Sequence, residues 1–282
     1  MGMTNAKQEL WAKTIVALLK TKLVSAGICN PNVVLNTKTS KFHIVGAGEV
    51  TVSDVNEDAD LTYAEPSDTD VEFTWNVDKY FGILVKDTDT NQTEINWESL
   101  YADRGAYAAM KALDAAVFAD HASLGLTNYE TGTTPWQLGA DGADTAKLFA
   151  SVGAQLDAAD APQEGRYIVL PPAGIQAIRL YGAGKNSGFG DKMLANGQVG
   201  MFLGFQVFMS NNLTNASSVI HSFAGVAGDG IAWKVQIDPE SIESMRAQGR
   251  FATLIRGRVR AGHKVYRSGI TVDVNLNSTV LA

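Results

Sequence analysis

The chain has 282 residues and a mass of 30.1 kDa, with 45% hydrophobic and 19% charged residues. That is ordinary globular composition with room for a core, and it excludes a disordered chain. A single cysteine, Cys29, excludes an intrachain disulfide and any Cys-based zinc site, and points to a reducing compartment of origin. No apolar run approaches the ~20 residues needed to cross a bilayer. Lys13, Lys20 and Lys22 interrupt the N-terminal apolar residues, so the expectation is a soluble intracellular product with no membrane partner.

Net charge is −7 but unevenly spread. Residues 1–150 hold 11 Lys/Arg against 21 Asp/Glu, giving −10, whereas residues 151–282 hold 12 against 9, giving +3. An overall basic nucleic-acid binder is therefore disfavoured.

In chain order, residues 7–24 set Trp11, Ile15, Leu18 and Leu19 at helical spacing, with the lysines mostly elsewhere. This amphipathic N-terminal arm either docks on its own core or on a neighbouring subunit, and the pattern does not separate the two. Residues 41–79 read as a long excursion of strands. The run Val71–Asp78 alternates strictly, with Val71, Phe73, Trp75 and Val77 on one face. Between Glu49 and Asp78 stand ten acidic residues and no Lys or Arg. The apex, with Asp54, Glu57, Asp58 and Asp60, is too polar to bury and is expected to project.

A strand follows over Tyr80–Lys86, and then the longest helix, 97–124, whose Leu100, Tyr107, Met110, Leu113, Val117 and Leu124 share one stripe. Such a rod is roughly 40 Å long, and Gly125 is the expected C-terminal stop. Residues 126–240 read as mixed α/β. Asp144 is expected to cap a helix through about Ala159, and the strand Arg166–Leu170 stops at Pro171-Pro172. Val199–Ser210 is an apolar stretch interrupted by Gly200 and Gly204, and Ile231–Ile237 is a further strand. Near the C-terminus, residues 255–260 put Arg256, Arg258 and Arg260 on one face, with Ile255, Gly257 and Val259 on the other. Ile270, Val272, Val274 and Leu276 alternate with Thr271, Asp273 and Asn275.

Sites for chemistry are scarce. Asp87–Glu98 has Asp87, Asp89, Asn91 and Glu98 at positions 1, 3, 5 and 12 of a calcium loop. Gln92 stands where the sharp turn needs Gly, Glu94 where an apolar residue belongs, and the preceding segment is a strand. A polar turn before the long helix is the better reading. Gly182–Ser187 has a phosphate-loop flavour, but Arg179 replaces the required first Gly and Asn186 the Ser or Thr after the Lys. His43, His121, His221 and His263 show no metal spacing, and no nucleophile elbow or triad is nominated. No cofactor, metal site or catalytic residue is expected, and the enzyme reading is empty.

The order of parts resembles the major capsid proteins of tailed bacteriophages, the HK97-type fold. Val85-Lys86-Asp87 through Leu100, leading into Ala112–Phe118, is similar to that family's passage from extended loop into spine helix. Arg166–Leu170 before Pro171-Pro172 resembles its strand ending at a proline before a short helix. Gly197–Gly200 followed by Leu203–Leu213 resembles its G-x-x-G … G-x-x-V-x-x-S-x-x-L signature.

The resemblance implies an α+β capsid fold: an N-terminal arm (1–40), an extended β-hairpin loop (41–79), a peripheral domain with the spine helix (80–127), an axial α/β domain (128–240) and returning C-terminal strands (241–282). It implies a structural protein that self-assembles through pentamers and hexamers into an icosahedral shell around phage double-stranded DNA, in a virion assembled in the bacterial cytoplasm. A portal is implied, and so is a separate scaffolding protein or none, since only about 40 residues precede the hairpin. An encapsulin-type bacterial nanocompartment shares the architecture, and a soluble α/β enzyme is the remaining alternative.

The charge asymmetry then suggests an interface. Seven basic residues lie between Arg246 and Arg267, and the acidic hairpin has no basic partner in its own half. Asp54, Glu57, Asp58 and Asp60 of one subunit are expected to lie over Arg256, Arg258 and Arg260 of its neighbour, although these arginines could instead face packaged DNA phosphates.

Overall fold

The computed structural model describes residues 24–31, 34–36, 41–47, 52, 54, 65, 68–88, 97–139, 142, 144–183, 200–237 and 242–278. The predicted arm residues Trp11, Ile15, Leu18 and Leu19 lie outside them, as do the hairpin acids Glu57, Asp58 and Asp60.

A short helix α1 (Ser25–Ile28) opens the described chain, and β1 (Val34–Asn36) follows. β2 (Lys41–Ala47) and β3 (Asp68–Phe73) pair antiparallel from Phe42↔Phe73 to Ala47↔Asp68, so the predicted hairpin is present as part of a three-stranded sheet, β1-β2-β3. Of its apex, Val52 and Asp54 are described, and both are exposed. The strict alternation over Val71–Asp78 predicted one continuous strand; the chain instead breaks at residues 74–76 before β4 (Val77–Lys86). The reason is Asn76. Its Oδ1 accepts from the His263 N–H at 3.1 Å and its Nδ2 donates to the His263 carbonyl at 2.9 Å. A side-chain amide thus makes the pair of bonds a ladder residue would make with its backbone.

The long helix, α2, runs Trp97–Ala119, about 35 Å, and ends in a 3-10 turn, Asp120–Ser123, rather than continuing to 124. Gly125 is not a left-handed C-cap. Its N–H bonds the Ser268 carbonyl at 3.2 Å, and a Cβ there would sit 2.4 Å from that oxygen, so the glycine serves a close backbone approach.

After β5 (Leu126–Asn128), α3 spans Thr145–Ala158. Asp144 stands at its N-cap without a capping hydrogen bond, because its carboxylate is taken by Lys147 Nζ at 2.7 Å. β6 (Arg166–Leu170) is buried on both faces and leads into α4 (Pro172–Ala183), which starts with Pro172 at its first position. The apolar stretch with Gly200 and Gly204 forms a hairpin of β7 (Met201–Phe202) and β8 (Phe205–Met209), turned by Leu203 (φ 46°) and Gly204 (φ 83°). Then come β9 (Thr214–Ala216), β10 (Val219–Val226), β11 (Ile231–Ile237), β12 (Ile242–Arg246), β13 (Ala252–Val265) and β14 (Thr271–Asn277).

Two larger sheets organise the molecule. One runs β5-β14-β10-β6-β8-β7, with β9 also on β10; the other has β13 at its centre, with β4 along one side and β11 and β12 in succession along the other. Ile168, Leu170, Val272, Val274 and Leu276 face α3 and α4 in the largest core cluster, with Leu148, Phe149, Leu156 and Ile178. The opposite face of the same sheet, with Tyr167, Val169 and Phe223, packs on Ile28, Val117 and Phe118 in a second cluster. A third, with Leu113, Val259 and Ala261, lies between α2 and the β13 sheet. Each fully buried Leu, Ile or Phe contributes about 1.5–3 kcal/mol over exposure, and α2 contributes to both the second and third clusters. β14 alternates as predicted but is buried on both faces, Thr271, Asp273 and Asn275 included, because α3 and α4 cover one face of its sheet and the end of α2 packs on the other.

Candidate assembly face

The central strand β13 carries the predicted alternation. Ile255, Gly257 and Val259 are buried; Arg256 and Arg258 are exposed and Arg260 is half-buried. The inner row packs against α2 through Phe81, which lies opposite Gly257 in the ladder. A Cβ on Gly257 would come within 2.5 Å of that ring and one on Gly105 of α2 within 2.1 Å. Two glycines therefore open the slot in which Phe81 joins helix to sheet.

Cross-strand register defines the outer row. Met245, Leu254 and Leu84 form an apolar rung, Glu243, Arg256 and Gly82 the next, and Arg258 with Tyr80 and Arg260 with Asp78 follow along β13. Tyr80 is 85% exposed, Met245 42% and Leu84 38%, and Phe251, in the turn before β13, is 88% exposed. A sheet face that combines an open apolar rung, an exposed tyrosine and a row of arginines has the composition of a contact surface.

The arginines already have acidic neighbours in their own chain. Arg256 Nη2 lies 2.7 Å from Glu243 Oε2. Arg258 grips Asp78 with two bonds, Nε to Oδ1 at 2.8 Å and Nη2 to Oδ2. Arg260 is more loosely held: its Nε is 3.8 Å from Asp78 Oδ2 without a hydrogen-bond partner, and its guanidinium lies 5.7 Å from the Trp75 ring centroid. The Arg258 hydrogen bonds hold the Asp78 carboxyl below the usual aspartate range, and those of Arg246 do the same for Asp87. Asp87, first residue of the calcium-like segment, thus accepts from Arg246 at 2.7 and 2.8 Å; residues 89–96 of that segment are outside the described ones. The phosphate-loop-like stretch is described only to its second residue, at the end of α4. Of the four predicted acidic partners, Asp54 alone is described, and it is exposed.

Sequence reading missed a second constellation. His121, in the 3-10 turn after α2, stacks on His221 of β10 with ring centroids 3.6 Å apart and an interplanar angle of 17°. Both Nδ1 atoms face Asp273 Oδ2, at 3.7 Å from His121 and 2.9 Å from His221. The three residues are 52 to 152 positions apart in sequence, so no spacing rule finds them, and Asp273 stands with Thr271 and Asn275 on the polar row of an ordinary alternating strand. Cys29 is buried, and burial pushes its thiol far up, so it is an inert packing residue. No helix among the described residues is long and apolar enough to cross a membrane.

Comparisons with known proteins bear on this geometry. The sequence profile of a family described as "Phage capsid protein" matches residues 28–277. Among solved structures, one from Mycobacterium phage Che8 superposes with a TM-score of 0.76 at 27% identity, covering 99% of each chain. The capsid of cyanophage P-SCSP1u gives a TM-score of 0.71 at 15% identity over 95% of this chain and 91% of that one. The capsid of a native GTA particle gives 0.63 at 13% identity over 98% of this chain and 100% of that one. No curated protein sequence matches. With the family profile spanning nearly the whole chain and the α+β HK97-type architecture matched end to end, the chain belongs to the phage capsid protein family and is a structural protein of the capsid shell.

Proposed function

We propose that copies of this chain assemble through pentamers and hexamers into a closed icosahedral shell around packaged double-stranded DNA, in a virion built in the bacterial cytoplasm. The chain works by assembly, without catalysis or cofactor. The observation that carries this reading is the family match over residues 28–277; the open outer face of the β13 sheet supports it. In this reading α2 and the β13 sheet form the peripheral domain, and the seven-stranded sheet with α3 and α4 forms the axial domain. In the same reading β11, which pairs with β13, goes with the peripheral domain although it lies inside the span 128–240 expected for the axial one.

The contact between subunits takes the acidic hairpin of one, with Asp54, Glu57, Asp58 and Asp60, onto the neighbour's Arg256, Arg258 and Arg260. Arg260 is the least committed of the three within its own chain, with Asp78 Oδ2 3.8 Å from its Nε; Arg256 and Arg258 would be shared with Glu243 and Asp78. The N-terminal arm, through Trp11, Ile15, Leu18 and Leu19, docks on an adjacent copy. Each exposed ion pair contributes only ~0.2–1 kcal/mol, and repetition around a closed symmetric shell makes weak contacts strong together. Contact with DNA is non-specific, and a scaffolding protein and a portal are the further partners of such a shell.

Negative-stain electron microscopy with sedimentation velocity on the same purified sample tests this. Closed particles tens of nanometres across are expected. A species that stays at monomer mass under crowding and with candidate scaffold would overturn the reading, and a cellular enzyme co-purifying inside the particles would turn it toward a nanocompartment.

A further inference from the structure

The His121–His221–Asp273 cluster has no part in the outer face. It stands where the end of α2 meets β10 and β14, on the face of the seven-stranded sheet that also carries Phe223. Its side chains are 21%, 14% and 9% exposed, sheltered but reachable from solvent. One ligand atom from each residue can be chosen so that all lie within 4.8 Å of one another.

The physical case rests on donor spacing. A tetrahedral ion with bonds of 2.0–2.1 Å needs its ligand atoms about 3.3 Å apart. The two Nδ1 atoms stand 2.9 and 3.7 Å from Asp273 Oδ2, one on each side of that separation. Two imidazoles and a carboxylate form a donor set suited to Zn²⁺ and its first-row neighbours, with further positions left for water.

Charge and hydrogen bonding agree. Burial holds the His121 imidazole below its ordinary range, with His221 adding to the effect, and lifts Asp273 above the usual carboxylate range despite the two imidazoles beside it. Asn275, directly opposite His221 in the ladder, is 1% exposed and its Oδ1 lacks a hydrogen-bond partner.

We propose that His121 Nδ1, His221 Nδ1 and the Asp273 carboxylate form a transition-metal site that ties the end of the spine helix to the central sheet. Metal entry would fan the two stacked rings apart about χ2. Ligation through Nδ1 requires each ring to carry its N–H on Nε2, and a ring that begins as the Nδ1–H tautomer reaches that form by moving one proton, with none released. Asp120 and His263 are the other titratable groups at this junction; Asp120 already accepts from Ser123 and is not needed as a ligand.

The experiment uses the full chain after EDTA treatment and dialysis. Zn²⁺ is titrated calorimetrically and Co²⁺ is followed by its visible absorption, on the wild type, His121→Ala and Asp273→Asn. Circular dichroism in EDTA establishes that each variant is folded. One Zn²⁺ per chain is expected, with a rise of several degrees in unfolding temperature and a low-coordinate Co²⁺ spectrum. Each variant is expected to bind at least tenfold more weakly and to lose the thermal shift. His121→Ala removes only a partly exposed side chain in a turn, so it remains informative if Asp273→Asn fails to fold. Absence of stoichiometric binding, or equal binding by His121→Ala, would overturn the site. So would a cluster that responds to pH alone, with no metal effect on unfolding.

Discussion

Asp114 shows how much one buried side chain can organise. It is 1% exposed in the last quarter of α2, and it accepts from the Val24 and Ser25 N–H groups at 3.3 and 2.8 Å, from Asn212 Nδ2 at 2.8 Å and from Ser210 Oγ at 3.4 Å. One carboxylate thereby satisfies the first turn of α1 and the loop after β8, roughly 90 residues away on either side of it. A buried carboxylate is costly unless it accepts several hydrogen bonds, and removing it strands the donors as well. Asp114→Ala is expected to cost about 2–4 kcal/mol in urea denaturation of the unassembled subunit. Asp114→Asn, which keeps one acceptor oxygen, is expected to lose less. A loss below about 0.5 kcal/mol for the alanine variant would mean that water replaces the carboxylate and that α1 is held by its apolar contacts alone.

Between elements, the Phe81 slot sets the distance of the spine helix from its sheet. Glycine inside a helix ordinarily costs about 1 kcal/mol relative to alanine, so a surface site would gain from Gly105→Ala. Here the new methyl would lie 2.1 Å from Phe81 Cε2, and the ring has little room to retreat because its other edge faces the Gly257 backbone so closely that a Cβ there would come within 2.5 Å of it. Gly105→Ala is therefore expected to destabilise by about 1–3 kcal/mol. Adding Phe81→Leu is expected to recover part of the loss, a coupling that a double-mutant cycle measures; a net stabilisation by Gly105→Ala would refute the slot. Neither glycine could be assigned this role from its own sequence neighbourhood, since the ring that needs them comes from a third segment. Local periodicity exposed the long helix, the β13 alternation and the β2–β3 hairpin, because each is written in consecutive residues. The break at residues 74–76 was hidden because Asn76 is bonded to a residue 187 positions away, and the histidine pair because its members come from separate elements. The Asp144 cap failed for a local reason: Lys147, one turn on, competes for the carboxylate.

At the scale of the whole molecule, the arginine row has two roles that one substitution confounds. Reversing Arg258 alone would leave it facing Asp78, a like-charge pair within the subunit, so loss of assembly could follow from a damaged sheet rather than a lost neighbour contact. A charge swap separates them. Arg258→Asp with Asp78→Arg restores an ion pair inside the chain while moving the positive charge from β13 to β4; with Arg260→Glu added, the row on the central strand keeps Arg256 alone of its three arginines. The folded subunit is expected to keep its unfolding free energy within about 0.5 kcal/mol of wild type, since exposed pairs contribute little. Shell formation, followed by light scattering, is expected to fall sharply for the triple variant and to weaken with salt in the wild type over the range where the Debye length shrinks below about 10 Å. The acid side has a definite sign. Asp78 titrates below the ordinary aspartate value of about 3.9 in the folded chain, so its pairing is complete above that value and is lost as pH falls through the lowered one. Assembly that declines between pH 7 and 5 would therefore implicate groups other than this pair. Normal shells from the triple variant at low salt would remove Arg258 and Arg260 from the contact and leave Arg256 and the apolar rung of Met245, Leu254 and Leu84 as the part of the face that a neighbour covers.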